Sequence, residues 1–205
     1  MAYIYSHTND GVITGASSSN FNTARNGTTG TAATGNSTDE IGIDVTAAGR
    51  TTYWEHHRGF FFFDVSGESG TVDSCTFEVN STTSKSNLMI PIFHDAGTSL
   101  VNDDFNNVFT SGTTMLAYAS AVSFSSTGYH TFNLNSDGIS ALQSKIGSGT
   151  FEIALVTNID YVAGRALSDA METVRFGDSS LSKPRIEITY ITGVTYNAPF
   201  LGANF

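Results

Sequence analysis

The chain has 205 residues, 40% of them hydrophobic and only 14% charged, with a formal net charge of -10 at pH 7. That length suits one domain with a sizeable core, and the acidic balance argues against direct binding to a phosphate backbone. With Cys75 as the one cysteine, an internal disulfide and a cysteine-based zinc site are excluded.

Ser, Thr, Asn and 20 Gly fill the place of the missing charge, and these are the residues of turns and short strands. The opening "MAYIYSHTND" has no basic region leading into an apolar stretch, so no secretory signal is expected. The N-x-S/T patterns at Asn26, Asn36 and Asn80 are then read as accidental. No apolar run approaches the ~18 residues of a membrane span.

Residues 1–50 hold a short apolar start, Tyr3 to Tyr5, and then a Ser/Thr/Gly/Asn-rich segment that alone would read as linker. Within it "EIGIDV", Glu40 to Val45, alternates as a strand does. "YWEHHRGFFFFDV" predicts a longer strand. In "TVDSCTFEVN" the step from Val72 to Cys75 breaks the alternation, which places the strand's start near Ser74. Pro91 in the apolar run "NLMIPIFHDA" argues for an edge or a bulge. "TMLAYASAVSFSS" fits helix or strand, with Tyr118, Val122 and Phe124 at strand spacing. "YHTFNLN" is a strand carrying Phe132 and Leu134 on one face.

One short helix is expected near 136–146. Asn135 or Ser136 caps it, Ile139, Leu142 and Ile146 share one side, and Gly147 closes it. "TFEIALVTN" predicts a buried strand. A polar loop containing "AGRALSDAMET" leads to "TVRFGDSS" and to "KPRIEITYI", with Ile186, Ile188 and Tyr190 in register. Residues 192–205 read as an extended arm carrying Tyr196, Phe200, Leu201 and Phe205. The expected organisation is an N-terminal segment with first strands (1–50), a β-sandwich core (51–191) and a C-terminal arm (192–205). The fold class is all-β, an antiparallel sandwich or jelly roll with one short helix and extended terminal arms.

Four stretches in order resemble the DNRLRE-like, carbohydrate-binding-module-like jelly rolls: "DGVITGASSSNFNTARNG", "RGFFFFDVSGESGTVDSCTFEV", "YHTFNLNSDGISALQSKIGSGTFEIALVT" and "VRFGDSSLSKPRIEITY". The likeness runs over roughly residues 10–191 and implies a β-sandwich. It leaves function open, since such sandwiches occur in polysaccharide-associated proteins and in virion structural proteins. The long 32–57 stretch, Cys75 and the aromatic arm depart from the family's pattern.

Residues suited to chemistry are sparse. His56 and His57 beside Glu55, with His94 and Asp95 elsewhere, have metal-binding side chains, but neighbours on a strand point to opposite faces. Asn102–Asp104 offers hard oxygen ligands without the spaced pattern of a calcium loop, and reads as a turn. Cys75 lies on an apolar strand face and reads as a buried hydrophobe. No nucleophile elbow and no phosphate loop are present. No residue is therefore assigned a catalytic, metal-binding or cofactor-binding role. Tyr53 and Trp54 are the candidate sugar platform.

The run Phe60–Phe63 puts two rings on each face of its strand. Phe61 and Phe63 share a face with Val65 and are assigned to the core. Phe60 and Phe62 then need a cover, supplied by the 1–50 segment or by a neighbouring subunit. The leading expectation is a non-enzymatic virion structural protein of a tailed bacteriophage, a capsid decoration (cement) protein or a head or tail fibre component. It would be made in the host cytoplasm and reside in the virion. Its partners would be further copies of itself, a trimer for example, and other virion proteins such as the major capsid protein. Contacts are assigned to Phe60, Phe62, Tyr3, Tyr5, Phe200, Leu201 and Phe205. The alternative is a carbohydrate-binding module or receptor-binding fibre domain holding a glycan, and the third reading is a polysaccharide-degrading enzyme. No nucleic-acid or membrane partner is expected.

Overall fold

Alternating side chains and turn-forming residues produce fourteen strands among the described residues, nearly all of them antiparallel neighbours. The computed structural model of the chain describes residues 3–94 and 97–191. In order these are β1 (Tyr3–Tyr5), β2 (Gly11–Gly15), α1 (Phe21–Arg25), β3 (Gly30–Thr34), β4 (Thr38–Ala48), β5 (Thr51–Asp64), β6 (Val72–Ser81) and β7 (Leu88–Ile92). A 3-10 turn, Asn102–Asn106, precedes β8 (Phe109–Ser111), β9 (Thr114–Met115), β10 (Val122–Ser123) and β11 (Gly128–Asn133). The chain continues through α2 (Ser136–Lys145), β12 (Thr150–Thr157), α3 (Asn158–Tyr161), β13 (Ala170–Arg175) and β14 (Arg185–Tyr190).

The fold is an all-β sandwich. One layer centres on β6, which is flanked by β11 and β14, with β1 beyond β14. The other centres on β5. Its first half pairs with β4 and its second half with β12, while β2 lies along its opposite edge. The layers are joined at one corner, where β13 runs beside β4 and reaches β6 at Val174–Ser81. Between the layers Phe61 and Phe63 of β5 meet Phe77 of β6, Phe151 and Ile153 of β12, and Ile186 of β14.

Several expectations need correction. The helix near 136–146 is present, with the Asn135 side chain accepting from Asp137 N and Gly138 N (both 3.0 Å). It is one of three, because α1 and α3 are single turns capped by Asn20 and Thr157. The break between Val72 and Cys75 is a bulge against Thr189–Tyr190, so β6 begins at Val72 and both side chains point inward. The stretch 113–125 contributes only the two-residue strands β9 and β10. The N-terminal segment is not an arm: β1 pairs with β14, β2 with β5, and β4 with β5 and β13. The C-terminal arm lies outside the described residues.

Asp10 anchors this N-terminal weave. Both of its carboxylate oxygens accept from Gly177 N (2.9 and 2.8 Å), with Asp178 and Lys183 the charged groups nearby. Burial pushes the carboxyl up to about 7, since the uncharged form is easier to desolvate. An unfolded aspartate titrates near 3.9, so between those values the folded chain holds a proton that the unfolded chain has lost. This group's stabilisation is complete below about pH 4 and is lost as the pH rises through about 7. Equilibrium unfolding at pH 5 and pH 8 should show the chain weaker at pH 8, by up to roughly 3 kcal/mol from this group. Asp10→Asn should flatten that slope; an unchanged slope would place the effect elsewhere.

Candidate functional site

Alternation places Tyr3 and Tyr5 on the same face of β1, 41% and 51% exposed. Antiparallel register sets Tyr5 opposite Arg185 and Tyr3 opposite Glu187. The Arg185 guanidinium lies 3.8 Å from the Tyr3 ring centre and 4.2 Å from that of Tyr129, so it is held between two aromatic rings. Its Nε donates to Glu78 Oε2 at 2.6 Å, and Thr131 donates to Glu78 Oε1 at 2.9 Å. Burial would lower the Arg185 pKa, but the Glu78 carboxylate outweighs it and keeps the guanidinium above its ordinary range. Tyr129 donates to the Lys183 carbonyl at 2.9 Å. Beside this stack a groove of about 410 Å³ is lined by Tyr5, Tyr129, Ser180, Ser182 and Lys183, with Leu181 65% exposed next to it.

Within the patch Arg185 and Tyr129 are each held in place by their neighbours. The patch also sits at a sheet end, and β1 has no second partner strand among the described residues. An edge strand with free N–H and C=O groups beside ordered tyrosines is chemically suited to docking another protein.

Other nominated residues fall elsewhere. Phe60 and Phe62 are 0% and 1% exposed and are not available as contact residues. They join a second core with Ile13, Ile90, Ile92, Leu100, Phe105 and Met115. The cover is neither a neighbouring subunit nor chiefly the N-terminal segment; it is the chain's own 97–117 excursion, with help from Ile13. That excursion is pinned from several sides. Asn102 accepts from Ala32 N at 2.8 Å, the Asp104 carboxylate takes Val101 N and Asn107 Nδ2, and Thr113 O accepts from Arg25 at 3.1 Å. Gly15 is needed beneath it, since the Phe105 ring occupies the space of a Cβ there. The Asn102–Asp104 stretch is thus a turn, as expected, though Asp104 is buried.

Tyr53 and Trp54 form no shared platform, because successive strand residues face opposite ways. Tyr53 is 36% exposed and Trp54 only 3%. The Trp54 indole donates to Ala166 O at 2.9 Å and packs edge-on with Phe21. Phe200, Leu201 and Phe205 lie outside the described residues.

The histidines also separate. His57 lies against Glu55 (3.1 Å) and Thr14, whereas His56 points inward, 3.4 Å from Asp160. His94 is buried on the rings of Phe60 and Phe62, and burial lowers its pKa to about 3. Among the described residues no group of three or more His, Cys, Asp or Glu is placed to hold a metal. Burial pushes the Cys75 thiol up to about 12, so it is not a nucleophile at neutral pH.

The most heavily charged buried cluster is one that sequence reading missed. Arg58 binds Asp160 through Nε (2.9 Å) and Nη2 (3.1 Å), and also donates to Phe105 O and Arg25 O. Arg25 donates to Asp160 O at 2.7 Å. All three side chains are at most 3% exposed. Burial would raise the Asp160 carboxyl, but Arg58 and His56 hold it well below the usual range. This cluster ties α1, β5, α3 and the 97–117 excursion together. It is sealed from solvent and works as structure. No local signal links residues so far apart in sequence.

No protein-family model and no curated protein sequence matches this chain. No helix among the described residues is long and apolar enough to cross a membrane.

Proposed function

We propose that this chain is a non-enzymatic structural subunit of a virus particle of the tailed-phage kind, either a capsid decoration protein or a head or tail fibre component. The observation that carries the reading is the Tyr3–Arg185–Tyr129 stack beside the open edge of β1. Tyrosine gives large contact area at low conformational cost, and a clamped arginine adds directional donors. The buried charges support a structural role: Arg25, Arg58, Asp160 and Glu172 are committed to holding segments of the fold. The sandwich resemblance and the Ser/Thr/Gly/Asn-rich composition fit the same class. The partners are further copies of the chain and the major capsid protein, and the place of action is the virion.

The test is the mass in solution by light scattering over a range of concentrations. The full chain should associate, and Tyr3→Ala with Tyr5→Ala should weaken association ~tenfold or more with little change in unfolding midpoint. A chain ending at Thr192 separates the contribution of the C-terminal residues. A full chain that is monomeric throughout, and that fails to co-sediment with capsids, would defeat the proposal.

A further inference from the structure

The open edge of β1 is short and its backbone groups are aimed. Ser6 N donates to Pro184 O (2.9 Å) in the same register that sets Ile4 opposite Ile186. Antiparallel pairing alternates, so Ile4 also bonds toward β14, and Tyr3 and Tyr5 turn their N–H and C=O groups outward. Beyond Tyr5 the edge closes again, because His7 N donates to Phe62 O (2.8 Å). What remains has room for a strand about as long as β1 itself, too little for one sheet to continue into another.

The groove of about 410 Å³ beside that edge is preformed. Its outer wall is the turn before β14, where Ser179 Oγ donates to Leu181 O (2.5 Å) and accepts from Leu181 N (3.2 Å). Ser182 in the same turn is left-handed (φ 55°), and Tyr129 ties the turn to β11 through Lys183 O. A turn held in this way keeps Leu181 exposed and cannot fold it away, which favours an occupant at little ordering cost.

The chain carries a segment of matching chemistry. Residues 192–205, "TGVTYNAPFLGANF", hold no Asp, Glu, Lys or Arg. Val194, Thr195 and Tyr196 are of the types that favour strands. Pro199 offers no N–H for further pairing, and Phe200 and Leu201 follow it. Two bodies of net charge -10 repel each other when placed face to face, whereas an uncharged segment reaching from one to the other avoids that close approach. The exit point also bears on which edge is met. Ile191 N donates to Thr71 O (2.8 Å), on the β6 side of β14 and away from β1. To reach the β1 edge of its own chain the segment would have to double back across the ends of β14 and β1.

We infer that the open edge of β1 and the groove beside it are filled by residues 192–205 of a second copy of this chain. Val194–Tyr196 adds a strand along Tyr3–Tyr5, and Phe200 with Leu201 enters the groove. Each copy gives one segment and receives one. This rests on the reading of the tyrosine face as a docking surface, and names what docks there.

Two full-length variants separate the giving part from the receiving part. Phe200→Ala with Leu201→Ala spoils the segment, and Tyr3→Ala with Tyr5→Ala spoils the edge. By light scattering each alone should associate ~tenfold or more weakly than the parent, with the unfolding midpoint at low concentration unchanged. Mixed in equal amounts they should associate more tightly than either alone, because an intact segment then meets an intact edge. Ser182→Cys in one chain and Leu201→Cys in another should form a disulfide-linked heterodimer in air; Cys75 is buried and stays out of it. A segment variant that associates like the parent would overturn the inference and leave the docking face standing, with β1 pairing to something else. Loss in both variants, with no recovery on mixing and no cross-link, would mean that the segment closes on its own chain, and would overturn it too. A full chain that is monomeric throughout overturns the exchange, and overturns the docking face as well only if the chain also fails to co-sediment with capsids.

Discussion

Replacing Asp160 by alanine should lower the unfolding free energy by about 3–5 kcal/mol. Among the described residues the carboxylate is the one anion shared by Arg25 and Arg58, and all three side chains are buried. Its removal leaves two guanidinium groups out of water with no counter-charge, which is the costly way to break a buried pair. Small domains have about 5–15 kcal/mol in total, so the variant should unfold at a markedly lower urea concentration. Asp160→Asn keeps shape and one acceptor oxygen and should fall between the two. A variant within about 1 kcal/mol of the parent would show that the arginines find water or other acceptors easily.

The same carboxyl predicts behaviour in acid. Its folded pKa lies below the unfolded value, so its stabilisation is present above about pH 4 and is lost as the pH falls toward the lowered folded value. Asp10 runs the other way and weakens the fold as the pH rises toward about 7. Taken together, the two groups place the greatest stability in mildly acid solution. Unfolding midpoints from pH 3 to pH 8 should show a maximum there, and Asp10→Asn should move it toward neutral pH.

Phe60→Ala and Phe62→Ala should each cost about 3–5 kcal/mol, with no direct loss of a docking surface. Both rings are fully enclosed by the chain's own second core, so the void left by truncation cannot be filled by a neighbour. The comparison with Tyr5→Ala separates two kinds of residue. Tyr5 is half-exposed and its loss should barely move the unfolding midpoint, while association should fall. If instead Phe62→Ala kept full stability and abolished association, the 97–117 excursion would have to lift away from β5 in the assembled state.

The all-β class, the inward set of β6, β11 and β14, the capped helix α2 and the inward direction of Phe61 and Phe63 were legible in the chain. Each depends on a local rule: alternation sets the face of a strand residue, and a capping side chain reaches only a few positions along. Even the run of four phenylalanines said correctly that both faces of β5 had to be covered. It could not say by what. The cover comes from residues 97–117, some forty positions later, and is fastened by Asn102 to Ala32 and by Arg58 to Phe105. Likewise Arg25, Arg58 and Asp160 carry no shared spacing, and Trp54 gives no sign that Arg165 will lie on it. Those pairings are settled by which strands become neighbours and by where loops return across the sheet. That is a long-range matter of burying the second face of β5 and neutralising the charges sealed beneath it, and only the tertiary structure decides it.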